Sequence, residues 1–178
     1  GWELHHPIEY QNHIFDAILA AGAEFGIKPF GIRAMDAMRL EKSYRLVGTE
    51  LSIEYAALES GLHRFVHLNK GEFKGRQKLS QWQESGFANT MVTLEVHDTT
   101  DADVIGGNPI MLPDGEVIGR ATGGGYGFRL NKSLALAMVR PELAAVGTEL
   151  MIDILDQRLR ATILEESPYD PDNQRLRA

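Results

Sequence analysis

Cysteine is missing from the sequence altogether. Its absence excludes disulfides, thiolate metal centres and a thiol nucleophile. It leaves open a reducing compartment, cytoplasmic or, in a eukaryote, the mitochondrial matrix. No stretch nears the roughly 20 consecutive apolar residues that a membrane helix needs, so no membrane partner is expected. An excess of basic charge is lacking too. The formal net charge is -7, and no basic stripe with interleaved aromatics runs along the chain, which argues against a nucleic-acid partner. The first residues contain neither an initiator Met nor a charged region followed by an apolar one, and they are not expected to be a signal peptide. Gly1-Trp2-Glu3-Leu4-His5-His6 reads like the middle of a strand, and the expectation is that the chain begins inside a longer polypeptide. Internal repeats and low-complexity segments are missing as well.

What is present suits a soluble α+β protein. The 178 residues are 43% hydrophobic and 24% charged, enough for a sizeable apolar core. Trp2-Glu3-Leu4 alternates like a short strand. Pro7 suits a first helical turn, and Ile8, Ile14, Phe15, Ile18 and Leu19 recur at helical spacing, with Gly22 or Gly26 as the stop. Gly31 opens a second helix in which Ile32, Met35 and Leu40 share one face while Arg39 and Glu41 stay polar. Lys70 to Gly75 is a polar turn. Gln77 to Glu84 reads as a helix carrying Leu79 and Trp82 inward, closed by Gly86. Beyond it the pattern becomes β-branched and alternating, over Met91 to Val96, Asn108 to Leu112, Glu116 to Ala121, Ser133 to Val139, Glu149 to Leu155 and Leu159 to Leu164. Pro113-Asp114-Gly115 is a hairpin turn between two of these runs. Five or six strands at short spacing predict a small antiparallel barrel or sandwich. The expected boundary falls near Gly86–Thr90, giving a mixed α/β part over 1–89 and an all-β part over 90–178.

The residue types that carry chemistry give little by themselves. His5 and His6 are adjacent and would point to opposite faces of a strand. His63 and His67 have helical metal-ligand spacing, but Gly61 to Leu68 reads better as a strand, and no metal site is expected. Gly123-Gly124-Gly125-Tyr126-Gly127 follows a strand without opening a helix, so it predicts a turn or bulge rather than a phosphate cradle. No Gly-x-Ser-x-Gly elbow is present, and composition does not select a general acid from the carboxylates.

A longer pattern goes further. Gly31-Ile32-Arg33-Ala34-Met35-Asp36-Ala37-Met38-Arg39-Leu40-Glu41-Lys42-Ser43-Tyr44-Arg45, then Gly48-Thr49-Glu50-Leu51, resembles a segment of the glycine-cleavage T-protein superfamily. Ala57-Leu58-Glu59-Ser60-Gly61-Leu62 and Lys70-Gly71-Glu72-Phe73-Lys74-Gly75-Arg76 are similar to its next two motifs. Asn131-Lys132-Ser133-Leu134-Ala135 and Pro168-Tyr169-Asp170-Pro171-Asp172-Asn173-Gln174-Arg175-Leu176-Arg177 resemble the dimethylglycine and sarcosine dehydrogenase or oxidase branch.

The resemblance implies the last part of a folate-binding α+β domain followed by a C-terminal β-barrel. It implies tetrahydrofolate as cofactor and a flavin in the parent protein, outside this chain. The implied activity is capture of the carbon released from an N-methyl amine. A non-catalytic folate-binding or subunit-docking module, or an O- or S-demethylase of the same fold, are the alternatives. Gly1-Trp2-Glu3-Leu4 matches the family's pterin-binding strand, which makes Glu3 the acceptor for the pterin's 2-amino and N3–H groups. Arg33 is implied to meet a glutamyl carboxylate of folate, or to pair with Glu41 or Asp36. Arg39 and Glu41 are expected to hold their helix through ion pairing. Arg175 and Arg177 either fold back toward the folate tail or dock the barrel, docking being favoured. The family's catalytic aspartate is implied to lie before residue 1, so no catalytic residue is assigned here. The chain alone is then expected to bind folate weakly or not at all and to be inactive, with the remainder of the parent polypeptide, or another subunit, as its partner.

Overall fold

The computed structural model describes residues 2–99 and 101–177. The chain divides into two compact units, one running up to Met35 and one from Asp36 onward.

The first unit is helical. Pro7 precedes a 3-10 turn, Ile8–Tyr10, which runs into α1, Gln11–Gly22. A further 3-10 turn, Ala23–Phe25, ends at Gly26 with φ 68°, a left-handed conformation that glycine takes without a Cβ penalty. Gly22 and Gly26 therefore each end one segment of the helical stretch. The expected strand at Trp2–Leu4 does not form. A strand needs a neighbour to take up its N–H and C=O groups, and the described residues of this unit contain only helices. Gly1 of that motif lies outside the described residues. The second helix, α2, is Ile32–Glu41. Of its expected apolar face only Leu40 is buried, while Ile32 and Met35 are exposed.

The second unit centres on a closed six-stranded antiparallel barrel in the order β1-β4-β3-β2-β5-β6. Its strands are β1 (Thr90–Val96), β2 (Pro109–Met111), β3 (Val117–Gly127), β4 (Lys132–Val139), β5 (Glu149–Ile154) and β6 (Gln157–Leu164). Closure resolves the choice between barrel and sandwich, since β1 pairs with both β4 and β6. Alternate residues fill the interior: Val92, Leu94 and Val96 from β1, Leu150, Ile152 and Ile154 from β5, and the small Ala135 and Ala137 from β4. The other side of β4 is also buried, because Leu134 and Leu136 pack against Leu40 of α2.

The predicted hairpin turn is present. The Leu112 N–H donates to the Glu116 carbonyl at 2.9 Å, and Gly115 has φ 96°. Leu155, read as part of a strand, instead shares the β5–β6 turn with Asp156, at φ 51° and 64°. That geometry is the two-residue turn whose twist matches antiparallel strands.

The glycine-rich run lies inside β3 rather than in a turn, with a register shift between Ala121 and Gly123. Its lack of side chains lets α2 approach. A Cβ on Gly125 would sit 3.4 Å from Leu40, and one on Gly127 would sit 3.1 Å from Glu41. Gly119 is tighter still, because a Cβ there would lie 2.2 Å from the Met138 carbonyl oxygen of the paired strand. Gly119→Ala is expected to cost about 1–3 kcal/mol, as an overpacked, half-buried site that only backbone movement relieves. A urea denaturation curve checks this.

Two local readings are corrected. Gly61 to Leu68 is no strand: His63–Phe65 forms a 3-10 turn, closed by the Phe65 and Val66 N–H groups on the Leu62 and His63 carbonyls. The helix α3, Arg76–Ser85, buries no residue. Trp82 is 38% exposed, and the Lys78 ammonium covers its ring at 5.0 Å. With one other apolar residue on so polar a helix, a cation over the ring takes the place of a core.

Candidate functional site

The sequence from Arg39 to Arg45 forms the junction on which the second unit is built. α2 ends in a Schellman motif: the Tyr44 N–H donates to the Arg39 carbonyl at 2.8 Å and the Ser43 N–H to the Leu40 carbonyl at 3.0 Å. This places Ser43 in the left-handed region, at φ 55°, where glycine is usual. A serine stands there because its buried hydroxyl is used. Its Oγ lies 2.7 Å from Thr93 Oγ1 and accepts the Ser167 N–H at 2.9 Å.

Glu41 and Arg39 flank Leu40 and serve different partners. The buried Glu41 carboxylate accepts the Arg129 N–H at 2.6 Å, so it anchors backbone rather than forming the expected ion pair. Arg39 does form ion pairs, with Asp36 at 2.6 Å and with Glu50 at 3.3 Å. Glu50 is fully buried. Its carboxylate accepts the Leu46 N–H at 2.8 Å and the Thr49 hydroxyl at 2.7 Å, and also the hydroxyl of Thr122 on β3. Burial pushes the Glu50 carboxyl upward, but hydrogen bonds from Thr122, Leu46 and Thr49, with Arg39 beside them, outweigh it and hold the group below its ordinary value.

The next motif is equally structural. Glu59 accepts the Ala56 N–H at 2.8 Å and the Asn89 N–H at 3.0 Å, which ties the 56–61 turn to the start of β1. Gly61, at φ 72°, leaves room for the Arg45 guanidinium, which would lie 2.2 Å from any Cβ. Arg45 in turn donates to the Ser60 carbonyl at 2.7 Å and pairs with Glu166.

Beside this junction lies an open groove of about 810 Å³, walled by Tyr44, Arg45, Leu62, Phe65, Glu166 and Pro171. A smaller one of about 310 Å³ lies against Arg120, whose guanidinium donates to the Tyr55 hydroxyl at 2.8 Å and pairs with Glu54.

The four residues singled out in the sequence fall in two places. Glu3 and Arg33 belong to the first unit, Arg175 and Arg177 to the second. The Glu3 side chain is 89% exposed, with the His5 ring nitrogen 3.6 Å away. Arg33 is exposed and forms no ion pair among the described residues; Asp36 pairs with Arg39 instead. Arg175 and Arg177 are also exposed, at the end of a segment folded back onto residues 41–45. Sequence reasoning missed the buried role of Glu50 and the part played by Lys42. Both stood inside quoted motifs, but nothing in a sequence distinguishes a buried carboxylate from a solvated one. Among the described residues, no group of three or more His, Cys, Asp or Glu is placed to hold a metal ion.

Comparison with known proteins gives a coherent picture. The model of the GCVT N-terminal domain matches residues 1–70, and that of the glycine cleavage T-protein C-terminal barrel domain matches residues 89–170. The chain is 40% identical over 167 residues to "Dimethylglycine dehydrogenase, mitochondrial" of Homo sapiens, across 93% of its own length and 19% of that protein. It is 35% identical over 165 residues to the aminomethyltransferase of Moorella thermoacetica, across 93% of its own length and 44% of that protein. The crystal structure of glycine cleavage system aminomethyltransferase T from Bartonella henselae superposes with a TM-score of 0.80 at 19% identity, covering 93% of this chain and 45% of that one. That last likeness concerns the fold. The chain thus spans about a fifth of the dehydrogenase and under half of the aminomethyltransferases.

Proposed function

The chain belongs to the glycine-cleavage T-protein superfamily, and from that premise we propose that it is the C-terminal part of a tetrahydrofolate-dependent one-carbon transfer protein. In this reading the parent protein takes the carbon of an N-methyl amine of the dimethylglycine or sarcosine type. One observation supports the choice of donor: over 93% of the chain in each case, identity is 40% to the dimethylglycine dehydrogenase of Homo sapiens and 35% to the aminomethyltransferase of Moorella thermoacetica. Residues 1–89 then complete a folate-binding domain and residues 90–178 form its barrel.

The chemistry of the side chains fits the cofactor. Glu3 has an exposed carboxylate with lone pairs open to the pterin's 2-amino and N3–H donors, an acceptor set that a carboxylate meets with both oxygens. Arg33, Arg175 and Arg177 present exposed guanidinium forks, suited to the carboxylates of the folate tail. Tetrahydrofolate, when bound, supplies the amine nitrogens that take up the carbon as methylenetetrahydrofolate. The task of this chain is to bind and orient that cofactor. Oxidation of the amine by flavin, and the family's catalytic aspartate, are assigned to the remainder of the parent polypeptide or to a separate subunit. A cytoplasmic or mitochondrial matrix location accompanies this reading.

The full polypeptide, supplied with dimethylglycine and tetrahydrofolate, is expected to form methylenetetrahydrofolate. Oxidation of the amine that releases the same yield of free formaldehyde with and without tetrahydrofolate would overturn the proposal.

A further inference from the structure

The segment from Glu166 to Asn173 lies as a strap across the end of α2, and it contains no fully buried residue. Polar bonds hold it. The Tyr169 N–H donates to the Glu41 carbonyl at 3.0 Å, and the Ser167 hydroxyl donates to the Lys42 carbonyl at 2.7 Å. At its centre is the Lys42 ammonium, whose N–H groups meet the Asp170 carbonyl at 2.6 Å, the Asn173 side-chain oxygen at 2.8 Å and the Tyr169 carbonyl at 3.1 Å. An ammonium has three donors to give, and all three have an acceptor here.

To present these acceptors the strap adopts left-handed backbone at Ser167, Asp170 and Asn173, with φ 54°, 47° and 56°. Residues with a Cβ keep that conformation when surrounding bonds impose it. The constraint is passed onward. The Asp170 carboxylate accepts the Gln174 N–H at 2.9 Å and the Arg175 N–H at 3.2 Å, and the Asn173 carbonyl accepts the Arg177 N–H at 3.2 Å. A continuous set of hydrogen bonds therefore runs from Lys42 to the backbone of both terminal arginines.

We infer that Lys42 is a positioning residue for Arg175 and Arg177, which it holds where they meet the carboxylates of the tetrahydrofolate tail. The inference rests on the proposed tail-binding role of those arginines. Because the Asp170–Asn173 end of the strap is fastened by the charge-assisted bonds of one ammonium and not by apolar burial, removing that ammonium frees this end, while the Ser167 and Tyr169 bonds and the barrel stay intact.

The test compares tetrahydrofolate with 6-methyltetrahydropterin, which lacks the tail, by titration calorimetry on the full polypeptide. Lys42→Met, which keeps the aliphatic stem, is expected to weaken tetrahydrofolate roughly tenfold and to leave the tailless pterin unchanged. In an Arg175→Met/Arg177→Met background, Lys42→Met is expected to add nothing further, as for residues acting through one another. Asp170→Ala, which lies in the strap and leaves α2 untouched, is expected to reproduce the loss and serves if Lys42→Met folds poorly. Equal weakening for both pterins, or an additive loss in the arginine-free background, overturns the positioning role. Affinity unchanged in the arginine double variant alone removes the tail-binding reading, and the inference with it. A weakened arginine double variant beside inert Lys42→Met and Asp170→Ala overturns the positioning alone.

Discussion

Glu50→Gln is expected to destabilise the second unit by about 3–5 kcal/mol, the usual cost of removing one partner from a buried ion pair. Glu50 has no exposed surface, and its carboxylate collects donors from four directions: the Leu46 N–H, the Thr49 and Thr122 hydroxyls and the Arg39 guanidinium. A glutamine amide replaces one acceptor oxygen by a donor that points at another donor, and it leaves Asp36 as the one carboxylate paired with Arg39, beside the Tyr44 carbonyl. The damage spreads because Thr122 belongs to β3 while Arg39 belongs to α2. Loss of the carboxylate therefore removes one tie between helix and barrel, leaving the Leu40 packing and the Glu41 bond to Arg129. A urea midpoint measured at neutral pH reads the effect directly.

The same group sets an acid limb. The folded state holds the Glu50 carboxyl below its ordinary value of 4.5, because the hydrogen bonds and Arg39 outweigh the cost of burial. A depressed carboxyl contributes stability that is fully present above the unfolded value and lost as pH falls through the folded one. Stability is thus expected to decline below about pH 4.5, and the decline is expected to be shallower in Glu50→Gln. Urea midpoints collected between neutral and acid pH give the comparison.

The barrel was legible in the sequence because its signals are local. The alternating pattern marked every strand to within two residues except β3, which runs on from the expected end at Ala121 to Gly127, and Pro113-Asp114-Gly115 marked a turn that forms as read. Leu155 was placed in a strand because its side chain looks like one, yet its left-handed backbone is dictated by the two-residue connection between β5 and β6. The glycine-rich run was harder. Its residues are glycine because α2 and the neighbouring strand come close, and neither approach is visible in a linear pattern. Trp2–Leu4 and Gly61–Leu68 failed for a related reason, since alternation records a tendency toward strand while pairing depends on a neighbour. The candidate site was read almost wholly through resemblance. Arg39 was read as an ion-pairing residue and is one, whereas the roles of Glu41, Lys42 and Glu59 as anchors of backbone and strap emerged only from the bonds they make.

The second large effect concerns Glu3. Its carboxylate is exposed and supports no other part of the fold, so Glu3→Gln is expected to leave the thermal midpoint of the full polypeptide unchanged. Its effect on the cofactor is expected to be large. The two charge-assisted bonds proposed between Glu3 and the pterin would become one neutral bond and one contact between two donors, which corresponds to roughly a hundredfold loss of affinity. Separating the midpoint from the affinity distinguishes a binding role from a structural one.

Titration calorimetry of tetrahydrofolate into the full polypeptide, with glutamate and then with glutamine at position 3, is the most direct measurement. Saturable binding by the first and a loss of about two orders of magnitude in the second is the predicted result. Equal affinity in the two proteins, each properly folded, would contradict the account.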